Sequence, residues 1–192
     1  MQQNKKDNKF ILDFNKKIMD SLNDDLNIEK FLLLKKYLIN IKNKKNTVFL
    51  IGNGGSASIA SHISIDLSKL NKIQTRTFND PSWITCLSND YGHKFWVSKA
   101  LEFSVKKNDL IILISSSGKS ENMIEAAKFA HKNKNKIVTF TGFNGVNKLS
   151  KLGNLNFIVD SKSYNIIENI HQIWLTMMID LIYGSREYVA KI

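Results

Sequence analysis

The chain has 192 residues, 28 of them Lys or Arg against 17 Asp or Glu, for a net charge of +11. With 43% hydrophobic and 23% charged residues it has the composition of an ordinary folded protein with a sizeable core. That excludes collagen and long disorder, and Cys86, the one cysteine, excludes a disulfide scaffold. No apolar run approaches the ~18 residues of a membrane span, and the opening MQQNKKDNKFILDFNKK has no signal-peptide core. The expectation is a soluble, cytoplasmic protein. Of the basic residues only Arg76 and Arg186 are arginines, and 22 asparagines accompany the lysines. Arg is the preferred residue for bidentate phosphate and base contacts. The scattered lysines therefore read as codon bias and solubility, not as a nucleic-acid surface.

Residues 8–44 carry helical periodicity. Ile11, Leu12, Phe14, Ile18 and Leu22 keep helical spacing, as do Ile28, Phe31, Leu32, Leu34, Tyr37, Leu38 and Ile41. Asn23, Asp24 and Asp25 divide this run into two helices. They read as an N-terminal extension, residues 1–45, that covers the sheet or an oligomer interface. A second unit, 46–192, follows. Thr47-Val48-Phe49-Leu50-Ile51 is the continuous apolar run of a buried parallel strand. It ends in Gly52-Asn53-Gly54-Gly55-Ser56, and a helical stretch runs on to Leu70. Residues 72–78 read as a strand, Pro81 opens a helix through Leu87, and 94–107 read as helical. Leu110-Ile111-Ile112-Leu113-Ile114 is another fully apolar strand, ending in Ser115-Ser116-Ser117-Gly118-Lys119-Ser120. A helix over 121–132, strands over 136–141 and 157–159, and an apolar helix over 165–183 stopped by Gly184 complete the chain. This alternation predicts an α/β fold, a three-layer α/β/α sandwich around a parallel sheet, with ligands at the carboxyl ends of the strands.

Two loops carry the chemistry. In the first, Asn53-Gly54-Gly55-Ser56, glycines allow positive φ and close approach of a ligand, and the following helix start attracts an anion. It matches neither the Walker pattern nor GxGxxG, so no nucleotide cofactor is expected. The second has four hydroxyls in six residues at the same kind of strand–helix junction. Hydroxyls and backbone N–H groups can satisfy the oxygens of a phosphate monoester without a bulky cation. Phosphate binding is favoured there over a serine-rich cap.

Asn53-Gly54-Gly55-Ser56, then Asn89-Asp90-Tyr91-Gly92, then Ser115-Ser116-Ser117-Gly118-Lys119-Ser120, then a strand closing on Thr141-Gly142, resemble in that order the sugar isomerase (SIS) domain. More closely they resemble the phosphoheptose isomerase family. The resemblance spans about residues 10–185. It implies that Ser115, Ser117 and Ser120 hold a sugar phosphate, with Ser116 alongside. Asn53, Gly54, Gly55, Ser56, Asn89 and Asp90 would then bind the rest of the phosphorylated sugar. It also implies a homotetramer with sites built from more than one subunit.

The family takes its reactive groups from two helices. Its first helix offers a His and, four residues on, a Glu; here these are His62 and Asp66, on one helical face. Its second offers a Gln and, eight residues on, a His; here these are Glu168 and Thr176, with His171 between. Thr cannot act as a general acid or base near neutral pH. Two readings stay open. Either a zinc-type site survives on His62, Asp66 and Glu168, or the site works without metal, with Glu168 or Asp66 as base and His171 as a substitute for the missing His. The resemblance implies an aldose–ketose isomerase that takes sedoheptulose 7-phosphate to D-glycero-D-manno-heptose 7-phosphate through an enediol, feeding lipopolysaccharide or capsule. The alternative is a non-catalytic relative, a sugar-phosphate sensor or a scaffold that binds a replication initiator.

Overall fold

Three apolar runs make the middle of the sheet. The structure, a computed structural model, describes residues 2–24, 26–143 and 145–189. Strands β1 (Thr47–Gly52), β3 (Leu110–Ser115) and β4 (Lys136–Thr141) lie side by side, buried along almost their whole length. Short β2 (Gln74–Arg76) and β5 (Leu155–Ile158) form the edges. All pairings are parallel, in the order β2-β1-β3-β4-β5. Such an order reverses direction between β1 and β3, and that is where an open α/β sheet leaves a crevice at its carboxyl edge. The register sets Gly52 beside Ile114 and Ser115 beside Thr141, so the loops after β1, β3 and β4 leave the sheet at one level.

Alternate strand residues feed two cores. Val48, Leu50, Ile112 and Phe140 face the layer of α1 (Gln2–Asp24), α2 (Ile28–Asn43), α3 (Gly55–Lys69) and α7 (Tyr164–Tyr183). Phe49, Ile51, Ile111 and Ile137 face the layer of α4 (Pro81–Tyr91), α5 (Trp96–Ser104) and α6 (Glu121–Lys132). The expected strand over 72–78 is shorter because the chain turns after Arg76 to bury Phe78, which stacks on Phe49 at 5.7 Å between ring centroids.

The N-terminal helices differ in kind. Asn27 starts α2, its side chain accepting from the Lys30 N–H at 3.0 Å, while Asp25 lies outside the described residues. Phe31, Leu34, Leu38 and Ile41 of α2 are buried in the first core, and the Phe31 ring lies 4.8 Å from Phe157 and 5.8 Å from Trp174. The boundary drawn at 45/46 therefore cuts through one core. By contrast, α1 packs Phe14, Ile18 and Leu22 against that layer and leaves Phe10, Ile11 and Leu12 more than half exposed.

If α2 is part of the core, Leu34→Ala, at a position that is 0% exposed, costs about 2–5 kcal/mol of unfolding free energy. Urea unfolding measures it, and a loss under ~1 kcal/mol would mean that α2 is only an appendage.

Candidate active site

At the switch between β1 and β3 the starts of three helices meet. Asn53 and Ser56 from the beginning of α3, Ser115, Ser116, Ser117 and Ser120 ahead of α6, and Tyr164 and Glu168 from the beginning of α7 line one open cleft of about 110 Å³. None of these three helices has a side-chain cap: Gly54, Ser120 and Ser163 stand at the N-cap positions without bonding the first-turn N–H groups. Away from the cleft, Asn27 caps α2 and Asp80 caps α4, while α5 starts at Phe95 without a side-chain cap. First-turn N–H groups need acceptors, and three partly positive helix ends aimed at one small cleft are suited to a polyanion. Ser115 and Ser120 share a hydroxyl hydrogen bond of 3.2 Å, and both hydroxyls line the cleft.

The loops are held in place by partners of their own. Asn53 and Asn122 exchange two amide hydrogen bonds, at 3.0 and 2.9 Å, which tie the first loop to the first turn of α6. Gly54 has φ +54°, a left-handed conformation that glycine adopts without strain. A Cβ at Gly55 would run into the Glu168 carboxylate, the far end of a flexible side chain, and displace it. Glu168 in turn accepts a hydrogen bond from the Ser116 hydroxyl at 3.4 Å. The α3 helix start, the serine loop and α7 are thus in mutual contact.

Farther along the α3–α7 seam stand His62 and Asp66. His62 Nε2 lies 3.2 Å from Asp66 Oδ2, and the Gln172 side-chain nitrogen lies 3.0 Å from His62 Nδ1. Thr176, one turn beyond Gln172, turns its hydroxyl back onto the carbonyls of Gln172 and Ile173 at 2.9 and 3.0 Å. Asn89 and Asp90 are not brought to the cleft. They sit exposed at the end of α4, where Asn89 donates to Asp90 at 3.0 Å.

A SIS-domain family model matches residues 14–142. The phosphoheptose isomerase of Fusobacterium nucleatum is 33% identical over 148 residues, 74% of this chain and 76% of that one. That of Helicobacter pylori is 30% identical over 160 residues, 80% of this chain and 82% of that one. The chain belongs to the SIS-domain family, in its phosphoheptose isomerase branch. The fold agrees with a solved phosphoheptose isomerase from Francisella tularensis, with a TM-score of 0.83 at 24% identity over 95% of this chain and 98% of that one.

Against that family pattern, two expectations change. His171 does not replace the His missing at position 176. Its side chain is wholly buried, Nε2 donates to the Thr141 carbonyl at 3.1 Å, and the ring meets Phe140 edge-on at 5.7 Å. Nor do His62, Asp66 and Glu168 form a zinc site on one chain. Structural zinc needs four donors, and catalytic zinc three protein ligands plus water. Among the described residues no three His, Cys, Asp or Glu side chains gather to hold a metal ion. His62 and Asp66 offer two donors, Glu168 is engaged with the serine loop, and the Thr176 hydroxyl is spent on its own helix. Asn122, Tyr164 and Gln172 are additions to the expected set. Gln172 lies four residues after Glu168, on the same helical stripe.

Two outcomes follow. Burial pushes His171 down to about 4, overcoming the opposing effect of its bond to Thr141, so the folded protein holds it neutral. The unfolded chain takes up that proton near 6.5, so stability is lost as pH falls from 6.5 toward 4. His171→Gln, which keeps a donor for Thr141, removes that one-proton slope of about 1.4 kcal/mol per pH unit, as read by urea unfolding across the range. Gly55→Ala displaces only the far end of Glu168, so thermal stability changes little while affinity for inorganic phosphate falls, as read by isothermal titration.

Proposed function

We propose that the protein is a sugar-phosphate isomerase that interconverts sedoheptulose 7-phosphate and D-glycero-D-manno-heptose 7-phosphate through an enediol, in the supply of heptose for lipopolysaccharide or capsule. The observation that carries this reading is the single cleft into which three uncapped helix starts and five serines open. The phosphoheptose isomerases among its relatives supply the choice of sugar. In this reading the phosphate sits among Ser115, Ser116, Ser117 and Ser120, where it takes up the free N–H groups. The sugar then runs away from the cleft along the α3–α7 seam.

Isomerisation needs a base to take a proton from the carbon beside the carbonyl and return it to the next carbon. It also needs a donor for the carbonyl oxygen. The groups along the seam are Glu168 at the cleft and the His62–Asp66 pair beyond it. The proton chemistry is assigned to these groups without a metal, because the donors of one chain do not make a zinc set. The protein is proposed to act as a homo-oligomer, a tetramer on the pattern of the resemblance. The exposed apolar residues Phe10, Ile11 and Leu12 on α1 and Ile65 on α3 offer surface for such contacts. Among the described residues no helix is long and apolar enough to cross a membrane.

The test is turnover of sedoheptulose 7-phosphate by the purified protein. Glu168→Gln and Asp66→Asn each lower kcat by about 10²–10⁴, the usual contribution of a positioned acid–base group. Ser120→Ala raises KM several-fold and leaves kcat nearly unchanged. If both carboxylate variants keep the full rate, the assignment of the proton chemistry is wrong.

A further inference from the structure

By the resemblance Thr176 stands where the family carries a histidine, and among the groups along the α3–α7 seam the geometry singles out His62 to take its part in the proton chemistry. Both ring nitrogens of His62 are engaged. The Gln172 side-chain nitrogen can only donate, so the Nδ1 it approaches at 3.0 Å carries a lone pair. The ring proton then sits on Nε2, directed at the Asp66 carboxylate 3.2 Å away. A base whose far nitrogen is fixed by a carboxylate, with its near nitrogen unprotonated, is the arrangement that orients a histidine for proton abstraction. The near nitrogen bears only an amide hydrogen bond, which a substrate can displace. The His62 side chain is 55% exposed, so a ligand can reach it.

The position along the helix fits. Gly55 touches Glu168 and His62 touches Gln172, so Gly55 and His62 lie on the same face of α3, turned to α7. Seven residues separate them, about 10 Å of helix rise. On α7, Gln172 is one turn, about 6 Å, past Glu168. A sugar anchored by its phosphate in the serine loop and extended along this seam therefore brings its carbonyl end toward His62. Glu168 stays near the phosphate end, and Asp66 lies a further turn of α3 away.

We infer that His62 is the proton-transfer base of this site, oriented by Asp66 and held ready by Gln172, in place of the histidine that position 176 lacks. The inference rests on the isomerase reading. In the step it assigns, Nδ1 takes the proton from the carbon beside the carbonyl and the C–H electron pair becomes the enediol double bond. The carbonyl π pair passes to its oxygen, which is protonated from solvent or a neighbouring donor. The enediol double-bond pair then takes the proton back from the imidazolium, paired with Asp66, at the former carbonyl carbon, while the other enediol hydroxyl gives its proton to solvent or the same neighbouring group and its O–H electron pair forms the new carbonyl. Asp66 and Gln172 act through His62 and are positioning residues.

The experiment compares wild type, His62→Gln and Gln172→Leu in three measurements: sedoheptulose 7-phosphate turnover, isothermal titration with inorganic phosphate, and ¹⁵N NMR of the imidazole. Loss of at least a hundredfold in kcat for His62→Gln, with phosphate affinity within threefold of wild type, is the expected result. Gln172→Leu loses about tenfold in kcat with KM little changed. The wild-type spectrum shows His62 protonated on Nε2, and Asp66→Asn shifts it toward a mixture of tautomers, a change that a purely structural role for Asp66 would not produce. His62→Gln retaining more than a fifth of wild-type kcat overturns the inference and leaves the isomerase reading intact. So does stoichiometric zinc in an active wild-type protein that a chelator inactivates. A wild type that binds phosphate but turns over no sugar phosphate overturns the isomerase reading, and the inference with it.

Discussion

The site depends on an omission: three helices begin at one point with N-cap residues whose side chains bond none of their first-turn N–H groups. A first-turn N–H without a partner is costly when buried and tolerable when it faces water or an anion. By leaving α3, α6 and α7 open at the switch point, the chain concentrates unmet donors and helix dipoles in one small cleft. The sheet order makes this possible, because only between β1 and β3 do successive connections depart to opposite sides and leave the strand ends uncovered. In the proposed reading, a protein with two arginines binds its phosphate through backbone and hydroxyl groups and does not need a guanidinium there.

The same contacts that form the cleft transmit constraint to the seam. Gly55 lets α3 approach α7 until the Glu168 carboxylate fills the space a Cβ would need. Glu168 also holds the Ser116 hydroxyl, so the serine loop and the helix pair share one side chain. One turn farther on, the seam is polar again, with Gln172 against His62. A polar stripe at positions 168, 172 and 176 thus runs along α7, opposite Gly55, His62 and Asp66 on α3. Polar groups survive there because each has a partner, which is the condition for placing them against a core.

How much of this was legible in the sequence follows from the range of each signal. The apolar runs at 47–51 and 110–114 and the glycine and serine loops after them are local, and the structure has strands and helix starts where they indicate. His171 was also legible: it shares a helical face with Ile167, Trp174 and Met178, and that face is the buried one. Asn89 and Asp90 were not legible in the same way. Their motif is local, but whether the end of α4 reaches a given cleft is set by tertiary packing, and in one chain it does not. Which part of residues 1–45 enters the core was not legible for a related reason. Phe31, Leu34 and Leu38 have the spacing of any amphipathic helix, and nothing in that spacing says that their partners are Phe157 and Trp174, more than a hundred residues away.

The departure at position 176 is best understood through the geometry around it. A histidine there would have stood one turn past Gln172 on the same stripe, facing the Asp66 end of α3. A threonine at that position returns its hydroxyl to the carbonyls of its own helix, as Ser and Thr commonly do, and so adds nothing to the seam. What remains is a carboxylate, an imidazole and an amide in a chain of hydrogen bonds, with the imidazole in the middle. Shortening Glu to Asp at position 66 fits this arrangement. On one face of α3, four residues apart, the shorter side chain meets the His62 ring at 3.2 Å. On the inference that His62 is the base, a short carboxylate that orients its ring and a threonine that leaves the seam to it belong to one arrangement.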